Sequence, residues 1–253
     1  MGERLYRCEG IILKRIDVGE ADRIVTILTP NGKIQATARG VRKTASKLSG
    51  HLELLSHCQL QLAVGKQRDV LTQSIAIERF DTLQLELVRM AAGYYVAELT
   101  DMLLADEDAA AQTFTLCLET LRALCTVQTV DMVLHWYTMQ LCDAVGYRPQ
   151  LTECAVCGQT LDSTAQLWSF VQGGMLCADC ARSDIQAMRV SLSVFKVLRI
   201  VQREPLATVV GYTVPADVHA MVYQILRRWV MRQSERAIRS AAFLDDVRRQ
   251  DLS

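Results

Sequence analysis

Apolar positions repeat with a short period over residues 1 to 80, and after Asp81 the period changes to three and four residues. In the first region Tyr6 to Ile16 is rich in β-branched and aliphatic side chains, Asp17-Val18-Gly19-Glu20 interrupts it, and Arg23 to Leu28 resumes an extended apolar run. Thr29-Pro30-Asn31-Gly32 is a turn by its chemistry, with proline presetting one φ and Asn-Gly accepting positive values. Lys33 to Ala38 follows as a third strand, closed by Gly40. The fourth has the clearest pattern: Cys58, Leu60, Leu62 and Val64 alternate with Gln59, Gln61 and Ala63, the period of a strand with one buried face. Gly65 to Asp69 turns the chain into a fifth, Val70 to Ile77. Five short strands with no helix long enough for a βαβ unit predict a small closed barrel of the OB type.

Beyond Asp81, Leu83, Leu87, Met90, Ala91, Tyr94, Tyr95, Leu99, Met102 and Leu103 form a helical core stripe that ends at Asp106-Glu107-Asp108. A second helix carries Phe114, Cys117, Leu118, Leu121 and Leu124. A third runs from Val130 to Val145, with Thr129 or Asp131 as candidate N-cap and Gly146 as its stop ahead of Pro149. Within it, His135 and Cys142 are expected to be packed core residues rather than ligands. Further on, Ser191 can cap a helix holding Val194, Leu198 and Val201, and Pro215 opens the last long helix, through Val222, Ile225, Leu226 and Trp229.

Between these helical parts, Cys154-Ala155-Val156-Cys157-Gly158 is answered by Cys177-Ala178-Asp179-Cys180. Each Cys-x-x-Cys curls the backbone into a knuckle that aims two sulfurs at one point, and two knuckles complete the tetrahedron that Zn²⁺ prefers. Leu167 to Val171 and Met175-Leu176 flank Gly173-Gly174, a hairpin whose glycines supply positive φ and which carries the second knuckle back to the first. Two disulfides, a redox pair or chance are the alternatives. Disulfides expect a secreted chain, yet Met1 to Arg4 leads into no apolar signal segment and the nine cysteines are an odd number. A redox pair needs one Cys-x-x-Cys, whereas here two are matched. Four thiolates at Cys154, Cys157, Cys177 and Cys180 leave no open coordination position, so the expected cofactor is one structural zinc.

Composition and charge sharpen this picture. With 253 residues and 28.3 kDa, half of them apolar, the chain can hold two or three globular domains. No apolar run approaches the ~20 residues of a membrane span, so a cytoplasmic protein with no membrane partner is expected. The net charge of zero divides into +5 over residues 1 to 80, −7 over 81 to 150 and +2 over 151 to 253. From Lys33 through Leu52 there is no acidic residue. Lys33, Arg39, Arg42, Lys43 and Lys47, with Arg23 on the second strand, are the candidate DNA contacts, in a stretch rich in glycine, serine and threonine. Uncompensated cations on a flexible loop suit a phosphate backbone, where each contact releases counterions, although a solvated surface loop has the same composition. Stacking partners are scarce, with Tyr6 and Phe80 in the segment, so backbone binding with little sequence preference is expected. Arg228, Arg232, Arg236 and Arg239 stand at helical spacing as a candidate stripe for an acidic peptide or DNA, or as a solvated face partly neutralised by Glu235. No phosphate loop, paired-His metal helix or nucleophile elbow is present, and His51, His57, His135 and His219 fall in no catalytic spacing. No enzyme is expected.

Taken together, Tyr6-Arg7-Cys8-Glu9-Gly10-Ile11-Ile12-Leu13-Lys14, Gly19-Glu20-Ala21-Asp22-Arg23-Ile24-Val25-Thr26-Ile27-Leu28-Thr29 and Ala38-Arg39-Gly40-Val41-Arg42-Lys43 resemble the N-terminal region of the RecO recombination mediators of bacterial DNA repair. Cys154-Ala155-Val156-Cys157-Gly158, with Phe170 and Gly173-Gly174-Met175-Leu176-Cys177, resembles that family's zinc segment. The resemblance covers nearly the whole chain, more loosely in the helical parts. It implies an α+β multi-domain protein: an OB-fold barrel over 1–80, a helical bundle over 81–150 and 186–253, and a four-cysteine zinc motif inserted at 151–185. It further implies binding of single- and double-stranded DNA, strand annealing, and action in the cytoplasm at the nucleoid. The implied partners are RecR, the acidic tail of single-strand DNA-binding protein and, indirectly, RecA. The zinc ligands map onto four cysteines here without departure. A zinc-ribbon adaptor that binds only protein, and an accessory nuclease or ligase using Asp106-Glu107-Asp108, are the readings from other classes.

Overall fold

The computed structural model describes residues 4–42, 52–105, 107–161 and 167–250. Among them the strands are β1 (Leu5–Val18), β2 (Asp22–Thr29), β3 (Gly32–Ala38), β4 (His57–Ala63), β5 (Asp69–Glu78), β6 (Leu167–Ser169), β7 (Gly174–Leu176) and β8 (Met188–Arg189). The helices are α1 (Leu87–Leu103), α2 (Ala110–Leu124), α3 (Asp131–Ala144), α4 (Leu192–Arg203), α5 (Leu206–Val209), α6 (Ala216–Ser234) and α7 (Arg239–Gln250). The chain divides into two compact units, residues 1–130 with 238–253, and residues 131–237.

In the first unit the five N-terminal strands close into a barrel in the order β1-β2-β3-β5-β4, the OB arrangement expected from the alternation. Closure rests on β1. Its first half pairs with β4, from Leu5 opposite Ala63 to Ile11 opposite His57, and its second half pairs with β2, from Ile11 opposite Leu28 to Val18 opposite Asp22. A register shift between Ile12 and Lys14 bends the strand where it changes partner. At Gly10 an added Cβ would lie 2.4 Å from Ile27 Cγ2, so this corner admits only glycine without a shift of β2. Ile12, Val25, Ile27, Ala36, Leu60, Leu62 and Leu71 fill the interior. The β2–β3 turn differs from expectation in detail: Gly32 has the positive φ, +132°, whereas Asn31 does not, and the turn is held by Thr29, whose Oγ1 donates to the Gly32 carbonyl at 2.8 Å.

Phe80, entered in the left-handed region, is buried and starts a 3-10 turn that leads into α1. Ala91, Tyr95, Leu99 and Leu103 of the expected stripe are buried, but Leu87 in the first turn is 56 % exposed. The fourth element of this unit comes from the far end of the chain. The Glu98 carboxylate on α1 accepts the backbone N–H groups of Arg239 and Ser240, at 3.0 and 2.6 Å, and the Ser240 hydroxyl. It therefore caps α7 from another helix, satisfying two of its N-terminal N–H donors and placing negative charge at the positive end of the helix dipole.

In the second unit α3 is the centre: ten of its residues are buried, among them His135 and Cys142 as expected. His135 Nε2 lies 3.2 Å from His219 Nδ1, and burial pushes the Cys142 thiol up to about 12. Polar side chains inside the unit close backbone ends. Trp136 Nε1 donates to the Glu204 carbonyl at 3.0 Å, Gln202 Nε2 to Pro149 at 2.8 Å, and Trp229 Nε1 to Tyr147 at 2.9 Å. Ser191 caps α4 as predicted, its hydroxyl accepting the Val194 N–H at 3.3 Å. The arginine stripe is corrected. The helix opened by Pro215 stops at Ser234 because Glu235 turns into the left-handed region at φ +54°, so Arg236 lies in the connection and Arg239 begins α7. Only Arg228 and Arg232 share one helix.

Replacing Glu98 by alanine is expected to leave the N-terminal donors of α7 without their acceptor and to cost about 1–2 kcal/mol. Urea unfolding followed by circular dichroism would show a lower midpoint at unchanged slope, and an unmoved midpoint would show that α7 is held by its packing alone.

Candidate metal centre and nucleic-acid interface

The two knuckles come together. The sulfurs of Cys154, Cys157, Cys177 and Cys180 all lie within 4.8 Å of one another, the one group among the described residues that could hold a metal ion. A thiolate tetrahedron with metal–sulfur bonds of ~2.3 Å places its sulfurs about 3.8 Å apart. Cys157 Sγ and Cys177 Sγ stand at 3.7 Å, so the donor set fits such an ion.

Local backbone chemistry builds the first knuckle: the Cys154 N–H donates to Gln159 at 2.7 Å and the Gly158 N–H to Cys154 at 2.9 Å. The β6–β7 hairpin delivers the second, with Leu167 opposite Leu176 and Ser169 opposite Gly174. Its two glycines have different jobs, which corrects the expectation that both supply positive φ. Gly173 has φ +83°, whereas at Gly174 an added Cβ would sit 2.2 Å from the Gln150 carbonyl oxygen. That close approach lets Gln150 exchange hydrogen bonds with Gly173 and Met175, both at 2.9 Å, and the Ala155 N–H reaches the Met175 carbonyl at 2.9 Å. The hairpin is thereby fixed against the chain that leads into the first knuckle. Under it, Trp168 is fully buried and meets Phe170 and Trp229 edge to face.

The thiols are unequal. Burial alone would raise Cys154, but the N–H groups of Cys157, Cys177 and Val156 hold it down at about 6. The Gln159 N–H pulls the Cys157 thiol down, yet contact with Cys154 and burial leave it raised. Cys180 is pushed up to about 12, chiefly by its contact with Cys157. One thiolate is thus ready before any ion arrives, and the ion must displace protons from its neighbours.

Arg228 and Arg232 turn out to serve this hairpin. The Arg228 guanidinium lies 4.3 Å from the centre of the Phe170 ring. Asp184 accepts the Ser169 hydroxyl at 2.6 Å, and that bond, the Gln186 N–H and the charges of Arg232 and Arg228 hold its carboxyl below the ordinary range.

On the barrel, the six candidate cations separate. Arg39 is exposed at the end of β3. Arg42 reaches the Gly19 carbonyl at 3.2 Å and Asp17 at 3.5 Å, and Arg23 donates to the same Asp17 at 2.7 Å. These are solvent-screened surface pairs, so a polyanion can compete for both arginines. Lys33 is different. Its ammonium binds the carbonyl and the carboxylate of Asp101 in the last turn of α1, where the helix dipole adds to the attraction. Lys43 and Lys47 lie outside the described residues, as does Asp106. The aromatic pair offers no stacking platform, since Phe80 is buried and the Tyr6 hydroxyl donates to Asp69. Absent from the candidate set are Lys66 and Arg68, exposed in the β4–β5 loop, with Arg68 Nε 3.2 Å from Gln35 Oε1 on β3. The signal was available, because OB folds bind ligands with the loop between these strands.

No described helix is long and apolar enough to cross a membrane. Comparison with known proteins accords with the geometry. A model of the N-terminal domain of recombination protein O matches residues 1–80, and a model of its C-terminal domain matches residues 84–242. The chain is 46 % identical over 248 residues to the DNA repair protein RecO of Roseiflexus sp. (strain RS-1), spanning 98 % of this chain and 88 % of that protein. It is 34 % identical over 248 residues to RecO of Dehalococcoides mccartyi (strain CBDB1), spanning 98 % of each. With RecO of Nocardioides sp. (strain ATCC BAA-499 / JS614) it shares 39 % identity over 181 residues, 70 % of this chain and 74 % of that one.

Titrating metal-free chain with Cd²⁺ at pH 7 in weak buffer is expected to release at most about three protons, because Cys154, held at about 6, has already lost its own. At pH 5 the count should rise by about one. Four protons at pH 7 would show that Cys154 is not the ionised member.

Proposed function

Because this chain belongs to the RecO family of DNA repair proteins, we propose that it is a recombination mediator. In this reading it binds single- and double-stranded DNA along the phosphate backbone without sequence preference, anneals complementary strands, and helps load RecA onto strands coated with single-strand DNA-binding protein. RecR and the acidic tail of the single-strand DNA-binding protein are its protein partners, and it works in the cytoplasm at the nucleoid. The barrel of residues 1–80 is the nucleic-acid module; the helical parts 81–150 and 186–253 and the metal segment 151–185 form the rest.

The observation that carries the reading is the acid-free stretch from Lys33 to Leu52 leaving β3 of a closed OB barrel, with Arg39 exposed at its start. Phosphate affinity without base readout is what annealing requires, and cations without stacking aromatics supply it. We assign the contacts to Arg39, Arg42, Lys43 and Lys47, with Arg23 joining once its pair with Asp17 opens. Lys33 is the least available, being held at α1. The acidic tail is assigned to the surface of α6 that carries Arg228 and Arg232. Annealing needs no catalytic group, since base pairing drives it. The ion is taken to be one structural zinc, because four thiolates satisfy its tetrahedron and leave no position for substrate.

The direct test is annealing of complementary oligonucleotides coated with single-strand DNA-binding protein, without nucleotide. Acceleration on adding this chain is expected, and DNA binding with no acceleration would sink the mediator reading. The charge reversals Arg39→Glu and Arg42→Glu together are expected to weaken binding equally across sequences and to lower the salt slope for single strands by roughly 1.4, about 0.7 for each lost contact. An unchanged slope would mean that the barrel cations do not touch phosphate.

A further inference from the structure

A second cationic surface lies on α4. Val194, Phe195, Val197, Leu198, Val201 and Gln202 are its buried face. On the opposite side Lys196 and Arg203 are exposed and Arg199 is half-buried. The spacing of three and four residues stacks the three along two turns of helix, about 10 Å. No carboxylate lies within α4, a property shared by no other described helix of eight residues or more that carries a cation. On other elements some cations are neutralised: Arg15 pairs with Glu53, Arg122 with Glu78 and Arg148 with Asp143. Among the described residues none of the three forms an ion pair; Arg199 is placed instead over the Phe195 ring at 5.5 Å.

The helix dipole accounts for Arg199 and Arg203, which fall in the C-terminal half, but not for Lys196 in the second turn. Three like charges in one row repel each other and call for a polyanion. Leu192, one turn before Lys196, is the one large apolar side chain exposed on α4, too little to anchor a peptide by itself, and the regular row of cations matches a polymer of phosphates better than a folded acidic surface. We propose that the Lys196, Arg199 and Arg203 face of α4 is a second phosphate-backbone site, which takes a single strand of DNA in the unit that does not contain the barrel. The proposal rests on the mediator reading and extends it: with one strand on the barrel and another on α4, a single chain holds both partners before they pair.

The test uses the full chain with two oligothymidines carrying a donor and an acceptor dye, which cannot pair with each other. Neutralising the row by Lys196→Gln, Arg199→Gln and Arg203→Gln is expected to lower the single-strand salt slope by roughly 2 and to abolish energy transfer between the two strands. The swap Lys196→Arg, Arg199→Lys and Arg203→Lys should preserve both. If the triple variant does not fold, Lys196→Gln alone carries the test, with an expected drop in slope of roughly 0.7. A neutralised chain with the wild-type slope and energy transfer overturns the proposal. So does one that keeps both but loses binding to a polyglutamate peptide, which would make the row a protein site. Wild-type chain that fails to bind oligothymidine at all removes the mediator reading itself.

Discussion

The change of partner along β1 is the constraint on which the first unit depends. One strand has to satisfy β4 with its first half and β2 with its second, and the ring cannot close unless the backbone bends between them. Gly10 and the shifted register after Ile12 provide the bend, at a corner where any side chain would strike Ile27. Once the ring is closed, the alternating apolar positions of all five strands face one interior, and β3 delivers Arg39 to the surface within the stretch of sequence that carries no acidic residue. The same closure brings Lys33 to the end of α1, so barrel and helix are joined by a cation that the sequence alone offers as a DNA contact.

A parallel constraint governs the second unit. Four sulfurs must converge to within one coordination sphere, and they belong to two segments separated by a hairpin. The hairpin can return only because Gly174 lets the chain approach Gln150 more closely than any side chain permits. Trp168, Phe170 and Trp229 then make a small aromatic core beneath it, with the Arg228 guanidinium on the Phe170 ring. In a segment with strands of three residues or fewer, that core supplies burial that the small sheet cannot.

Charge is distributed to match. Among the described residues, Arg15, Arg23 and Arg122 are paired with carboxylates, whereas Arg39 at the exit of β3, Lys66 and Arg68 in the β4–β5 loop, and Lys196 and Arg203 on the outer row of α4 are exposed. A strand end and a regular helix are both rigid supports for such cations.

Local periodicity was enough to determine the five strands, most of the core residues of α1 to α3, the Ser191 cap and the two cysteine pairs whose sulfurs converge, because each depends on spacing within one short stretch. The glycines of the hairpin were visible too, although their separate roles were not. Tertiary structure decided whatever joins distant segments. It paired Arg23 with Asp17 and Lys33 with Asp101, spent Arg228 on the metal hairpin, and capped α7 with a glutamate 141 positions away. It also ended α6 at Ser234 by turning Glu235, a residue with no helix-stopping signature, into the left-handed region, so the four arginines at helical spacing do not share one helix. Periodicity reports which side of an element is apolar; it carries no information about which charge on another element will be waiting on the polar side.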